Sequence, residues 1–169
     1  MTPAALLSDA FGRVHQSLSG VLEGLTDEQL VARPAPDANT IAWLAWHLLR
    51  VEDDHVAEVA GTEQVWTAQG FVGRFGLPLD PDATGYGMSS EEVGQVRAGA
   101  GLLQEYADAV HAATSAYLAT VTPDDLDRVV DERWDPPVTL AVRLVSVLND
   151  ELQHVGQAGY VRGLVTAAS

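Results

Sequence analysis

Two histidines and two carboxylates in this 169-residue chain stand where plain core residues belong. Asp150, Glu151 and His154 interrupt an apolar run in which Leu140, Leu144, Val147 and Leu148 lead in and Val155, Ala158 and Val161 follow. His47 lies within Trp43-Leu44-Ala45-Trp46-His47-Leu48-Leu49, the most hydrophobic segment of the first half. Charged groups on the buried side of a helix are costly unless they are paired or bound to a metal. Residues three or four apart on a helix lie side by side, so His154 is flanked by both Asp150 and Glu151. Either carboxylate, joined by His47 from a second helix, completes a two-histidine, one-carboxylate set that leaves coordination positions open for water or substrate. First-row divalent ions at reactive sites use such sets. The alternative is that each histidine is a core residue whose ring nitrogens find backbone or carboxylate partners.

Composition removes the competing chemistries. The chain has no cysteine, and all nine of its cations are arginine. Thiolate catalysis, disulfides, sulfur-ligated zinc and lysine-based Schiff-base chemistry are therefore excluded, and any protein-bound metal must use His, Asp or Glu. A net charge of -15 with no clustered arginines argues against a nucleic-acid partner. No run approaches the roughly eighteen apolar residues of a membrane span, and no secretory leader is evident, so a cytoplasmic protein without a membrane partner is expected. With 47% hydrophobic residues over this length, a single domain over 1–169 is expected.

Four helical segments must position the candidate ligands. Leu6, Leu7, Ala10, Phe11, Val14, Leu18, Val21 and Leu22 recur at three-four spacing and predict a first helix over about 3–23. After the Pro34-Ala35-Pro36 break, Asn39 or Thr40 can cap a second helix that runs to about Ala60, with Gly61 beyond its end. Residues 61–88 are rich in Gly and Pro and read as a long connection. Ser89 and Glu92 have capping-box spacing and predict a third helix to about Val121. Thr122-Pro123-Asp124-Asp125 stops it, Asp127 to Arg133 can form a short extended piece, and a last helix spans about 138–164. The expected fold is all-α: a four-helix bundle in up-down-down-up order, with residues 61–88 crossing over between helices two and three.

Thr40 to Leu48, together with Val138-Thr139-Leu140 through Asp150-Glu151-Leu152-Gln153-His154 to Leu164, resembles the two signature helices of the DinB superfamily, which includes YfiT-like proteins and mycothiol-dependent maleylpyruvate isomerase. The resemblance implies a four-helix bundle holding a divalent ion, zinc or nickel, with His47 as the first ligand and His154 as the last. Asp150 stands where the family usually has His or Glu, and aspartate reaches about one methylene less far; Glu151 is the substitute carboxylate. The implied activity is a transferase or isomerase acting on a small-molecule substrate through a low-molecular-weight thiol of the mycothiol or bacillithiol type. Since the chain has no thiol, the nucleophilic sulfur would come from that cofactor. A metal-activated water would instead make a hydrolase, and a closed or empty site would make a non-catalytic metal- or ligand-binding stress-response bundle. A homodimer is implied as well, with Trp43 or Trp46 left over for a partner surface.

Other candidates carry less chemistry. His55 reads as a satisfied core or interface residue, and His15 and His111 as isolated on mixed or surface-like faces. Trp43, Trp46 and Trp134 read as core or dimer contacts rather than a substrate cage. Arg50 would either meet a substrate carboxylate or pair on the rim with Glu52, Asp53 or Asp54.

Overall fold

The structure, a computed structural model, describes residues 2–167 and is mostly helical. Helix α1 (Pro3–Leu22) starts at Thr2, whose hydroxyl accepts the Ala5 amide, and buries Phe11, Val14, Leu18, Val21 and Leu22 at the predicted spacing. A short α2 (Asp27–Val31) follows on a Thr26/Gln29 capping box, a signal present in the sequence but masked there by the Pro34-Ala35-Pro36 break. Helix α3 (Ile41–Ala60) is capped by Thr40, and Gly61 closes it at φ 69°. Only glycine takes that left-handed conformation without strain. Every residue of α3 from Ile41 to Asp53 is buried, so this helix is the centre of the molecule rather than one of its walls.

The long connection holds two short helices, α4 (Val65–Ala68) and α5 (Phe71–Phe75). The expected third helix is also two pieces, α6 (Ser90–Gln95) and α7 (Ala100–Leu118). Ser89 and Glu92 do form their capping box, but the chain turns extended at Val96, which is buried. A side chain at Gly94 would press on the Arg33 guanidinium and one at Gly99 on the Asp27 carboxylate. A 3-10 turn (Asp124–Asp127) leads to β1 (Val129–Asp131), which pairs antiparallel with β2 (Val138–Thr139). Helix α8 (Leu140–Ala167) completes the described chain.

Among the four long helices, α3 packs most extensively on α8, and α1 contacts α7 and α8 while α3 also contacts α7. Side-chain pairs give the directions. His15 meets Asp108 and Ser19 meets Gln104, so α1 and α7 run in opposite senses. His47 meets Asp150 and His55 meets Arg143, so α3 and α8 do as well. One core cluster includes Leu44, Trp46, Leu103 and Ala158; a second, with Phe11, Leu140 and Leu144, closes one end.

Asp53 of α3 locks α4 onto this frame. Its Oδ1 accepts the Val65 amide, and its Oδ2 accepts the Trp66 amide and the Tyr106 hydroxyl, all at 2.8 Å. Arg50, one turn back and completely buried, donates to Gln64 and to the Ala83 carbonyl and lies 3.6 Å from Asp53. It is an internal tether and not a rim charge. The tryptophans are likewise internal: Trp43 is buried and stacked on His47, and Trp46 is buried with its ring edge-on to Trp66. The expectation that one of them serves a partner surface falls for that reason. Trp134, by contrast, is largely exposed.

Replacing Asp53 by alanine strands three buried donors and leaves Arg50 without its counter-charge, so it should lower unfolding stability by about 3 kcal/mol. Tyr106→Phe removes one of the same hydrogen bonds and should cost about 1 kcal/mol. Urea denaturation measures both, and equal effects from the two substitutions would contradict the anchoring role of Asp53.

Candidate metal centre

The α3–α8 seam brings His47, Asp150 and His154 together. One ligand-type atom from each lies within 4.8 Å of the others, and no other such group of His, Asp or Glu side chains occurs among the described residues. Asp150 Oδ2 is 3.8 Å from His47 Nε2, and Asp150 Oδ1 is 3.5 Å from His154 Nε2. The two imidazoles meet edge to face with ring centroids 4.7 Å apart. Glu151 does not share in this. One position further round α8, it is buried against Glu52.

Both histidines are held so that Nε2 is the nitrogen presented. The His47 Nδ1–H donates to the Thr84 carbonyl at 2.5 Å, and a carbonyl can only accept, which fixes the tautomer and leaves Nε2 a lone pair. His154 Nδ1 is 3.2 Å from Gln157 Oε1, with the same result. Trp43 stacks on the His47 ring with centroids 4.6 Å apart, while Tyr86 stands edge-on to it at 5.3 Å. Burial is one-sided: the His47 side chain is 3% exposed, whereas those of Asp150 and His154 are 20% and 18% exposed. Solvent therefore reaches the group from the α8 side.

The His47 orientation depends on a strap that sequence reasoning read only as a connection. Trp66 donates to the Pro81 carbonyl, Arg50 to that of Ala83 and His47 to that of Thr84, while the Trp43 indole N–H meets Met88 Sδ. Residues 81–88 are thus pinned along α3. Gly85 makes the closest approach: its φ is +105°, and a Cβ there would collide with His47 Nδ1. Gly85 is a glycine for both reasons. The sequence signal was only one Gly among many in this stretch.

Electrostatics separate the two histidines. Burial pushes the His47 pKa below the usual imidazole value, though the Thr84 carbonyl acts in the other direction. The hydrogen bond to Asp150 raises that of His154. Beneath them, burial drives both Glu52 and Glu151 up, Glu151 strongly, so the pair keeps a proton where free carboxylates would have lost theirs. Their folded values exceed the unfolded ones, so the pair is least costly below about 4.5, and stability declines as pH rises through the folded values. The other histidines lie elsewhere. His15 and His111 are a stacked pair, centroids 4.5 Å apart, between α1 and α7, with Asp108 bonded to His15; the expected isolation of these two is corrected. His55 sits in a polar cluster with Arg143, Glu58 and Asp54.

The three residues fit a divalent ion. Donor atoms sharing one ion with bonds of about 2.1 Å lie roughly 3 to 4 Å apart, close to the spacings found. Asp150 Oδ2 is buried without a hydrogen-bond partner, which is unfavourable unless something else satisfies it. Two neutral imidazoles and a carboxylate, with no sulfur, suit a first-row divalent ion, zinc, nickel and iron among them. Gly85→Ala should therefore weaken metal binding by about 10- to 100-fold, because it displaces the carbonyl that orients His47. Occupancy should also fall as pH drops, with His154 the first to protonate since its pKa is raised. Competition titration with a chelator across pH measures both. Unchanged affinity in Gly85→Ala, or tighter binding at lower pH, would contradict the assignment.

The chain is 33% identical to a solved structure described as a conserved protein of locus from Enterococcus faecalis; the match covers 99% of both chains with a TM-score of 0.92. No curated protein matches. A family model described as mycothiol-S-transferase matches residues 6–167, and with nearly the whole chain inside that match, the protein belongs to the mycothiol-S-transferase family, a DinB-like group.

Proposed function

We propose that this protein is a metal-dependent transferase that joins a low-molecular-weight thiol of the mycothiol type to a small electrophile. An isomerase that adds and then releases the same thiol would use the same parts. The observation that carries the reading is the His47–Asp150–His154 group, three ligand-type side chains with an accessible side, in a chain that has no nucleophilic thiol or lysine of its own. A divalent ion held there would supply Lewis acidity that favours the thiolate form of a thiol entering its open position.

The chain's own residues do the rest. Thr84 and Gln157 hold the two imidazoles in the tautomer that presents Nε2. Trp43 and the 81–88 strap keep water from the buried side of His47. Asp150, placed between the two histidines, offsets part of the charge a cation brings. In the transfer itself the sulfur–carbon bond forms as the electrophile's leaving group departs with its electron pair. In an addition, the electron pair instead passes to the adjacent carbon, which then takes a proton.

The scaffold we infer is one domain over 1–169 in the cytoplasm, a four-helix bundle of α1, α3, α7 and α8 in up-down-down-up order with the 61–88 segment crossing over. The antiparallel α1–α7 and α3–α8 pairs support that order together with α1 and α8, where Phe11 clusters with Leu140 and Leu144 while Arg162 donates to the Val21 and Glu23 carbonyls, so that these two run in the same sense. We also propose a homodimer that pairs through α8. Val142, Val145, Leu152 and Tyr160 are exposed along its outer side. Between them Asn149, Gly156 and Gly163 bring no charge, which favours self-association in a chain of net charge -15.

Two measurements test these proposals. Metal-loaded protein incubated with mycothiol and a generic electrophile should show thiol-dependent conjugation that the His47→Ala variant loses; equal rates in both would refute the transferase reading. Light scattering at micromolar concentration should give the mass of a dimer, and Leu152→Glu should give that of a monomer. A monomeric wild-type protein would reject the pairing.

A further inference from the structure

The face of α3 turned away from the metal centre borders a cavity of about 480 Å3, walled by the later halves of α3 and α7 with α4 along one side. That volume is within the usual range for a small-ligand pocket. Val56, in the cavity lining, is nine residues from His47 on α3. Nine residues are about two and a half helical turns, so the two side chains point to opposite sides of the helix. None of His47, Asp150 and His154 lines the cavity.

The cavity is apolar at its inner end and polar at its mouth. Val56, Ala57, Val65 and Val110 are buried in the lining. Asp53 is buried there too, but its oxygens are spent: Oδ1 accepts the Val65 amide, and Oδ2 accepts the Trp66 amide and the Tyr106 hydroxyl. The same bonds fix α4 in place as a wall, so the cavity is preformed. Thr114, the other buried polar residue of the lining, is hydrogen-bonded to Glu52. The inner end therefore suits an apolar group that asks for no hydrogen bond. Thr62, Glu63, Gln69 and Thr120 are exposed and form the mouth. Glu63 takes part in no ion pair or hydrogen bond among the described residues.

Charge decides which kind of head group fits. No arginine or histidine lines the cavity, and the chain carries a net charge of -15. A ligand anion would meet Glu63 and that field with no cation to receive it, whereas a ligand cation would be drawn to the mouth. We propose that this cavity binds a hydrophobic amine, with its apolar body among Val56, Val65 and Val110 and its ammonium group at Glu63. The site is separate from the metal centre and stands whether or not the protein is a transferase.

Amide chemical-shift titration of the full chain tests it with three probes that differ only in the head group: 4-phenylbutylamine, 4-phenylbutanol and 4-phenylbutanoate. The amine should shift the amides of Ala57, Val65 and Val110 and bind with a Kd of about 1 mM or tighter. The carboxylate should bind at least about tenfold more weakly, since it exchanges attraction for repulsion at the mouth. Glu63→Gln should weaken the amine by about three- to fivefold and leave the alcohol within about twofold. Ala113→Phe and Ala116→Phe add a ring to the lining from exposed positions of α7, and each should weaken the amine and the alcohol by at least about tenfold. If one of these two fails to fold by circular dichroism, the other serves. Amine shifts that leave the cavity amides unmoved, a carboxylate as tight as the amine, amine affinity unchanged by Glu63→Gln, or amine affinity unchanged by the ring substitutions would each overturn the proposal.

Discussion

The structure depends on one constraint: polar side chains carried on the buried faces of α3 and α8 must find partners inside the protein. His47 and Glu52 of α3 meet Asp150, His154 and Glu151 of α8, while the buried Arg50 and Asp53 turn to α4, Tyr106 of α7 and the 81–88 strap. Unpartnered, such groups would cost several kcal/mol each. Each stretch of the seam solves this differently. Asp53 turns outward to cap α4 and bond Tyr106. Burial and their mutual proximity hold the Glu52 and Glu151 carboxyls above the usual carboxylate range. Arg143 gathers Glu58, His55 and Asp131, tying β1 to both helices. At His47, Asp150 and His154 the ligand-type atoms gather within 4.8 Å of one another, a grouping that could hold an ion.

The strap over α3 follows from the same constraint. Trp43, His47 and Arg50 each carry an N–H that the helix cannot satisfy, and the backbone of residues 81–88 and the Met88 sulfur accept them in turn. The connection between α3 and α6 is long because it has to return along α3 to do this. Its glycines are not all equivalent. Gly85 is placed by its contact with His47, whereas a side chain at Gly70 or Gly73 would meet open space, although the left-handed φ of Gly70 favours glycine in its own way.

Much of this was legible in the sequence, because apolar periodicity reports burial directly. The bounds of α1 and α3, the Ser89 cap, the choice of Asn39 or Thr40 as the α3 cap, of which Thr40 serves, and the extended piece near Val129 were read from local signals that the tertiary structure keeps. So was the anomaly of His47, Asp150 and His154, since polar residues inside an apolar stripe stand out against it. What escaped was set by contacts between distant segments. The break between α6 and α7 lies between Gly94 and Gly99, which closely approach Arg33 and Asp27, contacts of which a capping box upstream gives no sign. Arg50 reads as a rim residue beside three acids, yet its position inside the frame is fixed by Gln64, Ala83 and Tyr106. Asp150 and Glu151 flank His154 equally in sequence, and only the rotation of α8 against α3 turns the first toward His47 and the second toward Glu52.

The central claim is that three side chains of this protein hold a divalent ion and leave it a position that a thiol can fill. X-ray absorption at the metal edge addresses it directly on protein purified without a histidine tag and loaded with zinc. Before thiol is added, the account predicts nitrogen and oxygen neighbours at about 2.0 to 2.2 Å and no sulfur; after mycothiol is added, one sulfur neighbour at about 2.3 Å. A spectrum that mycothiol leaves unchanged, or metal that does not bind stoichiometrically, would contradict it.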